Sequence, residues 1–134
     1  MKKPITVSGK RKTSIAKATI KPGKGVVRIN SIPLDIFEPE IAQLKMKEPL
    51  MLAGEKYTSK VDIKVSVKGG GWMSQAEAVR NAIAKALVTF FKSKELEKVF
   101  LDYDRHLLVA DTRRTEPQKP YRSAARRGRQ TSKR

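Results

Sequence analysis

The chain has 134 residues, with 30 Lys and Arg against 13 Asp and Glu, a net charge of +17, no cysteine and one histidine, His106. That length suits one domain plus extensions; the missing cysteines exclude disulfides and thiolate metal sites, and a lone histidine removes most metal and general-base arrangements. So large an excess of positive charge resists compaction unless a polyanion neutralises it, which makes nucleic acid the first partner to consider and an anionic membrane surface the second.

The charge is unevenly placed. Met1–Leu34 carries nine basic residues and no acidic one, Asp35–Asp111 carries twelve of each, and Thr112–Arg134 carries nine basic residues against Glu116 alone. A neutral middle therefore lies between two polycationic ends. No stretch approaches the roughly 20 apolar residues of a spanning helix, and "MKKPITVSGKRK" starts with charge but lacks the apolar run of a signal peptide. The chain reads as cytosolic and soluble.

In chain order, "PITVSGKRKTSIAKATIKPGKGVVRIN" reads as three short strands. "SGKRKTS" at Ser8–Ser14 makes a tight connection exposing Lys10, Arg11 and Lys12, and "KPGKG" at Lys21–Gly25 supplies the next reversal. "EPEIAQLKMKEPLML" predicts a helix from about Pro39, with Pro49 expected to kink or end it. "KVDIKVSVKGGG" alternates Val61, Ile63, Val65 and Val67 with polar residues, a half-buried strand stopped by Gly69, Gly70 and Gly71. The spacing then turns helical, with Ala76, Val79, Ile83, Ala86, Leu87, Phe90 and Phe91 on one stripe. Ser74 followed by Glu77 is a capping-box pattern and predicts the start of that helix. A further helix opens at Ser93 in "SKELEKVFLDY", and "RHLLVAD" predicts a last short strand. The fold class is α+β: a mainly antiparallel sheet of about four strands with helices on one face.

The two basic ends carry the chemistry. From Thr112 onward Pro117, Pro120 and Gly128 interrupt any regular structure, and Tyr121, Ala124 and Ala125 are the only apolar bodies. Ordering costs of roughly 1–2 kcal/mol per residue exceed what those can return, so the segment reads as an arm that orders against RNA or DNA. Fully extended, its 23 residues would span ~75 Å. Arg outnumbers Lys there seven to two, and the Arg fork suits bidentate phosphate contacts. Tyr121, alone among cations, is placed for stacking on a base. The predicted division is 1–111 as a globular RNA-binding domain and 112–134 as the arm.

"KGGGWMSQAE" has glycines ahead of a helix, a setting for anion binding, but lacks the Lys-Ser/Thr of a P-loop. It competes with a plain strand-to-helix turn. Trp72 is expected to sit in the core or partly buried under the helix in preference to stacking on a base, and Asp102 with Asp104 reads as a solvated helix end, not a catalytic pair. No cofactor, metal or enzymatic activity is expected. A free RNA- or DNA-binding module and a small kinase using Gly69–Gly71 are the competing readings.

Three blocks together resemble the family of the ninth protein of the small ribosomal subunit, in its archaeal and eukaryotic branch. "GKRKTSIAKATIKPGKGVVRIN" is similar to the family's opening Gly-x-Arg-Lys, Gly-containing turn and Ile-Asn; "VKGGGWMSQAEAVRNAIAKAL" to its Gly-rich turn, Gln-Ala and following helix. Asp111, Arg113 and Glu116, leading through the arm to Ser132, Lys133 and Arg134, are similar to its Asp-x-Arg-x-x-Glu and closing residues. Tyr121, Gln118 and Thr131 depart from that pattern.

The resemblance implies a ribosomal-protein-five second-domain-like fold, with a four-stranded sheet, helices on one side and a left-handed crossover, related to folds of some small-molecule kinases. It implies a structural constituent of the small subunit, cytoplasmic, on ribosomal RNA of the head and beside neighbouring ribosomal proteins, not on a membrane. Lys10, Arg11, Lys12, Gly69, Gly70, Gly71, Arg113, Arg114, Tyr121, Arg122, Arg126, Arg127 and Arg129 would lie on ribosomal RNA. Ser132, Lys133 and Arg134 would meet the tRNA in the peptidyl site.

Overall fold

The computed structural model describes residues 3–109 and 111–113. Strands β1 (Ile5–Arg11) and β2 (Ser14–Pro22) form an antiparallel hairpin, and β2 pairs antiparallel with β5 (Val61–Lys68). Beyond β5 lie β3 (Val27–Ile29), parallel to it, and the two-residue β4 (Ile32–Pro33). Among the described residues the sheet thus has five strands in the order β1-β2-β5-β3-β4, one more than expected, because Asn30 and Ser31 fold β4 back onto β3.

The KPGKG turn joins β2 to β3, but β5 sits between them, so the pair is not a hairpin. Asp62 on β5 explains the path. Its Oδ1 accepts the backbone N–H groups of Lys24, Gly25 and Val26 at 2.9, 3.2 and 3.0 Å, drawing the loop across the end of β5. A Cβ on Gly23 would collide with that carboxylate. Asn30 extends the ladder on the other side: Val67 N–H donates to its Oδ1 at 2.9 Å, while its Nδ2 donates to the Val67 carbonyl at 3.3 Å.

The crossover from β3 to its parallel neighbour β5 carries α1 (Glu40–Ala53) and a short helix α2 (Glu55–Thr58) that no sequence pattern announced. Helix α1 starts after Pro39 as predicted, but runs four residues past Pro49, which is buried. It ends at Gly54, whose φ of 79° suits glycine.

Helix α3 (Trp72–Phe91) lies along the sheet and carries α1 and α4 (Lys94–Tyr103) against it. The predicted stripe is buried except for half-buried Phe91, and Ala78, Ala82 and Ala84 are buried too, since α3 is enclosed on several sides. The capping-box expectation is corrected: α3 begins two residues before Ser74, with Gly71 as its N-cap and no side-chain cap. At α4 the prediction holds, Ser93 Oγ accepting the Leu96 N–H at 3.2 Å.

Among the described residues, "RHLLVAD" forms no strand of the kind expected. Asp104 accepts the His106 N–H at 2.9 Å and caps a 3-10 turn over Arg105–Leu107. The buried Asn81 side chain holds that turn, donating to the carbonyls of His106 and Leu107 at 3.2 and 3.0 Å. With its His106 and Leu107 carbonyls committed to Asn81, the segment has little freedom to join a ladder; among the described residues it contributes an isolated parallel bridge, Asp111 to Arg11.

Candidate nucleic-acid interface

Strand alternation divides the first basic cluster. Along β1, Ile5, Val7, Gly9 and Arg11 share the face that meets the helices, while Thr6, Ser8 and Lys10 face away, and Lys12 sits in the two-residue turn with φ 52°. Lys10 and Lys12 are exposed. The Arg11 side chain is only 14% exposed and is enclosed by carboxylates: its Nε donates to Glu77 Oε2 at 2.7 Å and its Nη1 lies 3.6 Å from Asp111 Oδ2. The same Nη1 donates to the Arg113 carbonyl at 3.3 Å.

Arg113 closes this clamp from the other side. Its Nε reaches Asp111 Oδ1 at 3.0 Å and its Nη2 reaches Oδ2 at 2.7 Å, a bidentate fork, while its own N–H donates to Oδ1 at 3.0 Å. Those hydrogen bonds from Arg113 hold the Asp111 carboxyl far below its ordinary range, with the charge of Arg11 adding to the effect. The root of the C-terminal segment is therefore tied to the end of β1.

The Gly-rich turn meets the same end. A Cβ on Gly69 would stand 2.5 Å from the Thr13 carbonyl, and one on Gly70 would overlap Ser14 Oγ; both glycines have positive φ. The buried Ser14 donates to the Gly69 carbonyl at 2.8 Å, and Gln75 Nε2 donates to it at 3.0 Å. Packing against the β1–β2 turn thus accounts for Gly69 and Gly70. Gly71 is open, and Trp72 beside it is 51% exposed, so it lies outside the core and is only partly covered.

Three segments far apart in sequence converge here: Lys10–Lys12, Gly69–Gly71 and the root Asp111–Arg113. Arg114, Tyr121, Arg122, Arg126, Arg127, Arg129, Ser132, Lys133 and Arg134 lie outside the described residues, as does the division at 111/112 beyond its first residues.

A second ion network lies behind the clamp. Arg80 of α3, with its side chain 7% exposed, donates from Nε to Glu48 of α1 at 2.7 Å and from Nη2 to Asp104 at 3.0 Å. Burial pushes the Asp104 carboxyl up, but the His106 N–H and Arg80 outweigh it and keep it below its ordinary value. Asp104 is thus engaged by Arg80 and by the 3-10 turn that it caps, a structural role at the end of α4. Among the described residues no group of His, Asp and Glu is arranged to hold a metal ion, and no helix is long and apolar enough to cross a membrane.

Sequence reasoning missed the outer face of the sheet. Lys17 and Lys21 of β2, Arg28 of β3, and Lys64 and Lys68 of β5 are all exposed on the side opposite the helices. The signal was present in the polar positions of each alternating strand, but only the strand order shows that they share one surface.

The family model for ribosomal protein S9/S16 matches residues 9–134. The small ribosomal subunit protein uS9 of Desulfurococcus amylolyticus is 55% identical over 125 residues, covering 93% of this chain and 89% of its own. The proteins of the same name from Aeropyrum pernix and Methanococcus maripaludis are 49% and 50% identical, covering 92% and 91% of this chain and 91% and 90% of their own. The chain belongs to the ribosomal protein S9/S16 family.

Proposed function

We propose that this protein is a structural constituent of the small ribosomal subunit, with its domain on ribosomal RNA of the head and its C-terminal arm reaching the tRNA in the peptidyl site. Neighbouring ribosomal proteins and cytoplasmic ribosomes complete the setting, and no enzymatic step is involved. The fold proposed for it is the ribosomal-protein-five second-domain-like one, its crossover from β3 to β5 left-handed.

The observation that carries this reading is the convergence at one end of the domain. Lys10, Lys12 and the open Gly71 stand beside the clamp that fixes Asp111 and Arg113, so the chain beyond Arg113 starts from the cationic end of the domain. Phosphates carry no base identity, and a contact made through them accepts any tRNA. Lys10, Lys12, Gly69–Gly71 and the arm residues Arg113, Arg114, Tyr121, Arg122, Arg126, Arg127 and Arg129 are assigned to ribosomal RNA, and Ser132, Lys133 and Arg134 to tRNA. Arg11, though part of the same basic run, supports the site chiefly through the clamp.

Deletion of Thr131–Arg134 tests the division of labour. The shortened protein is expected to enter small subunits normally while peptidyl-site tRNA binds more weakly, and deletion of everything after Asp111 is expected to impair incorporation as well. Loss of incorporation on the short deletion would overturn it. A free RNA-binding module, by contrast, would not stay with small subunits through moderate salt.

A further inference from the structure

The open face of the sheet is built unlike the face beneath the helices. Inward positions of β1, β2 and β5 are Val, Ile, Ala and Gly along most of their length, whereas the outward ones are Thr6, Ser8 and Lys10, then Ile15, Lys17, Thr19 and Lys21, then Asp62, Lys64, Ser66 and Lys68. The register sets these in rows. Ser8, Lys17 and Ser66 lie side by side across three strands, and Thr6, Thr19, Lys64 and Arg28 across four.

Two features of this surface point outward. Lys64 and Arg28 are register neighbours on strands about 5 Å apart, and like charges so placed oppose pairing unless an anion lies over them. Among the described residues, the one carboxylate that β1, β2, β3 and β5 place on this face, Asp62, is already taken by three backbone N–H groups. Among the described residues no ion pair neutralises Lys17, Arg28, Lys64 or Lys68. Two grooves cross the surface, of roughly 450 and 340 Å³, the first bordered by Thr19, Arg28 and Lys64 and the second by Lys17, Ser66 and Lys68.

We propose that this sheet face is a second RNA-binding surface, which seats the sugar–phosphate backbone of a double-stranded RNA segment. The chemistry selects backbone over bases. Sheets that read unpaired RNA present aromatic rings on which bases stack, and β1, β2, β3 and β5 place none on this side. Instead, ammonium groups alternate with Ser and Thr hydroxyls, which match phosphates and the 2′-hydroxyls displayed along the RNA minor groove. The inference rests on the ribosomal reading above and adds a site away from the converging turns.

The test uses the full chain with Lys17, Lys64 and Lys68 each changed to Gln, against a control with Lys92→Gln, Lys94→Gln and Lys98→Gln in and beside α4. Both lose three charges, so only position differs. Affinity is measured for a duplex hairpin from the head of small-subunit ribosomal RNA and for an unpaired RNA of equal length. Three lost phosphate contacts lower the salt slope by about 2.7, so between about 50 and about 200 mM salt the wild type should lose duplex affinity roughly 40-fold more steeply than the sheet variant. The control should keep the wild-type slope, and the sheet variant should melt no lower than wild type because like charges have been relieved.

Equal slopes for sheet variant and wild type on the duplex would overturn the proposal, as would a loss confined to unpaired RNA. Failure of the wild type itself to bind either RNA would overturn the ribosomal reading together with this one.

Discussion

Arg11 and Lys12 are adjacent, basic and part of the same Ser8–Ser14 motif, yet the structure gives them opposite work, and replacing each in turn separates the two roles. In Arg11→Met the aliphatic stem is kept while the 2.7 Å bond to Glu77, the approach to Asp111 and the bond to the Arg113 carbonyl are lost. A hydrogen bond between charged groups contributes about 1.5–3 kcal/mol. Glu77 is about one-third exposed and regains water when its partner leaves, so the expected loss is about 1–2 kcal/mol. Lys12→Gln removes an exposed charge at a turn and should stay within about 0.5 kcal/mol of wild type. Urea unfolding at fixed ionic strength measures both. RNA titration at several salt concentrations gives the other half: the Lys12 variant should lower the salt slope by about 0.9, the Arg11 variant by less. A stability loss in Lys12→Gln equal to that in Arg11→Met, or none in Arg11→Met, would refute the assignment of Arg11 to the clamp.

Arg80→Met should cost more, about 2–3 kcal/mol by urea unfolding, because its guanidinium joins α1, α3 and the α4 end through two short charged bonds from a nearly buried position. Gly9→Ala should destabilise by at least about 1–3 kcal/mol, since the added methyl would sit 2.6 Å from Ala82 N and against the Ala78 carbonyl, forcing β1 off α3; thermal melting reads this directly. Asp62→Asn should show its effect through pH. The N–H groups of Val26, Lys24 and Gly25, helped by the charge of Lys21, hold the Asp62 carboxyl below its ordinary 3.8 against the opposing pull of burial. Its stabilisation is therefore fully present above about pH 4 and lost as pH falls through the depressed value. The gap between wild type and Asn variant should be constant near neutrality and close only in acid.

Much of the fold was legible because the strands and α3 obey simple periods. Val61–Val67 alternate without exception, and the stripe from Ala76 to Phe90 is buried throughout. What escaped the sequence depended on partners remote along the chain. Strand order could not be read from the Lys21–Gly25 turn, since the decisive contact is Asp62, nearly forty residues later. Ser74 and Glu77 fit a cap by spacing, but Glu77 is held by Arg11 and helix α3 starts at the glycines, where the β1–β2 turn presses on Gly69 and Gly70. The strand expected near Leu107 lost to Asn81, a polar residue of α3 that no periodicity marks.

The candidate site was half legible for the same reason. Composition finds basic segments but not the direction in which each cation points. Within Gly9–Lys12 the odd positions are committed inward: Gly9 lets α3 approach, and Arg11 binds Glu77 and Asp111. The even positions, Lys10 and Lys12, remain outside. The same alternation along β2 and β5 spares Lys17, Lys64 and Lys68 from the core while Ala16, Ala18, Val65 and Val67 build it. A strand that buries every second residue can therefore be apolar enough to fold and basic enough to meet a polyanion, with neither demand met at the other's expense. In this protein the neutral middle of the chain is neutral only in sum: its carboxylates Glu48, Glu77, Asp104 and Asp111 are gathered on the helix side around Arg11 and Arg80, which leaves the lysines of β5 unopposed on the other.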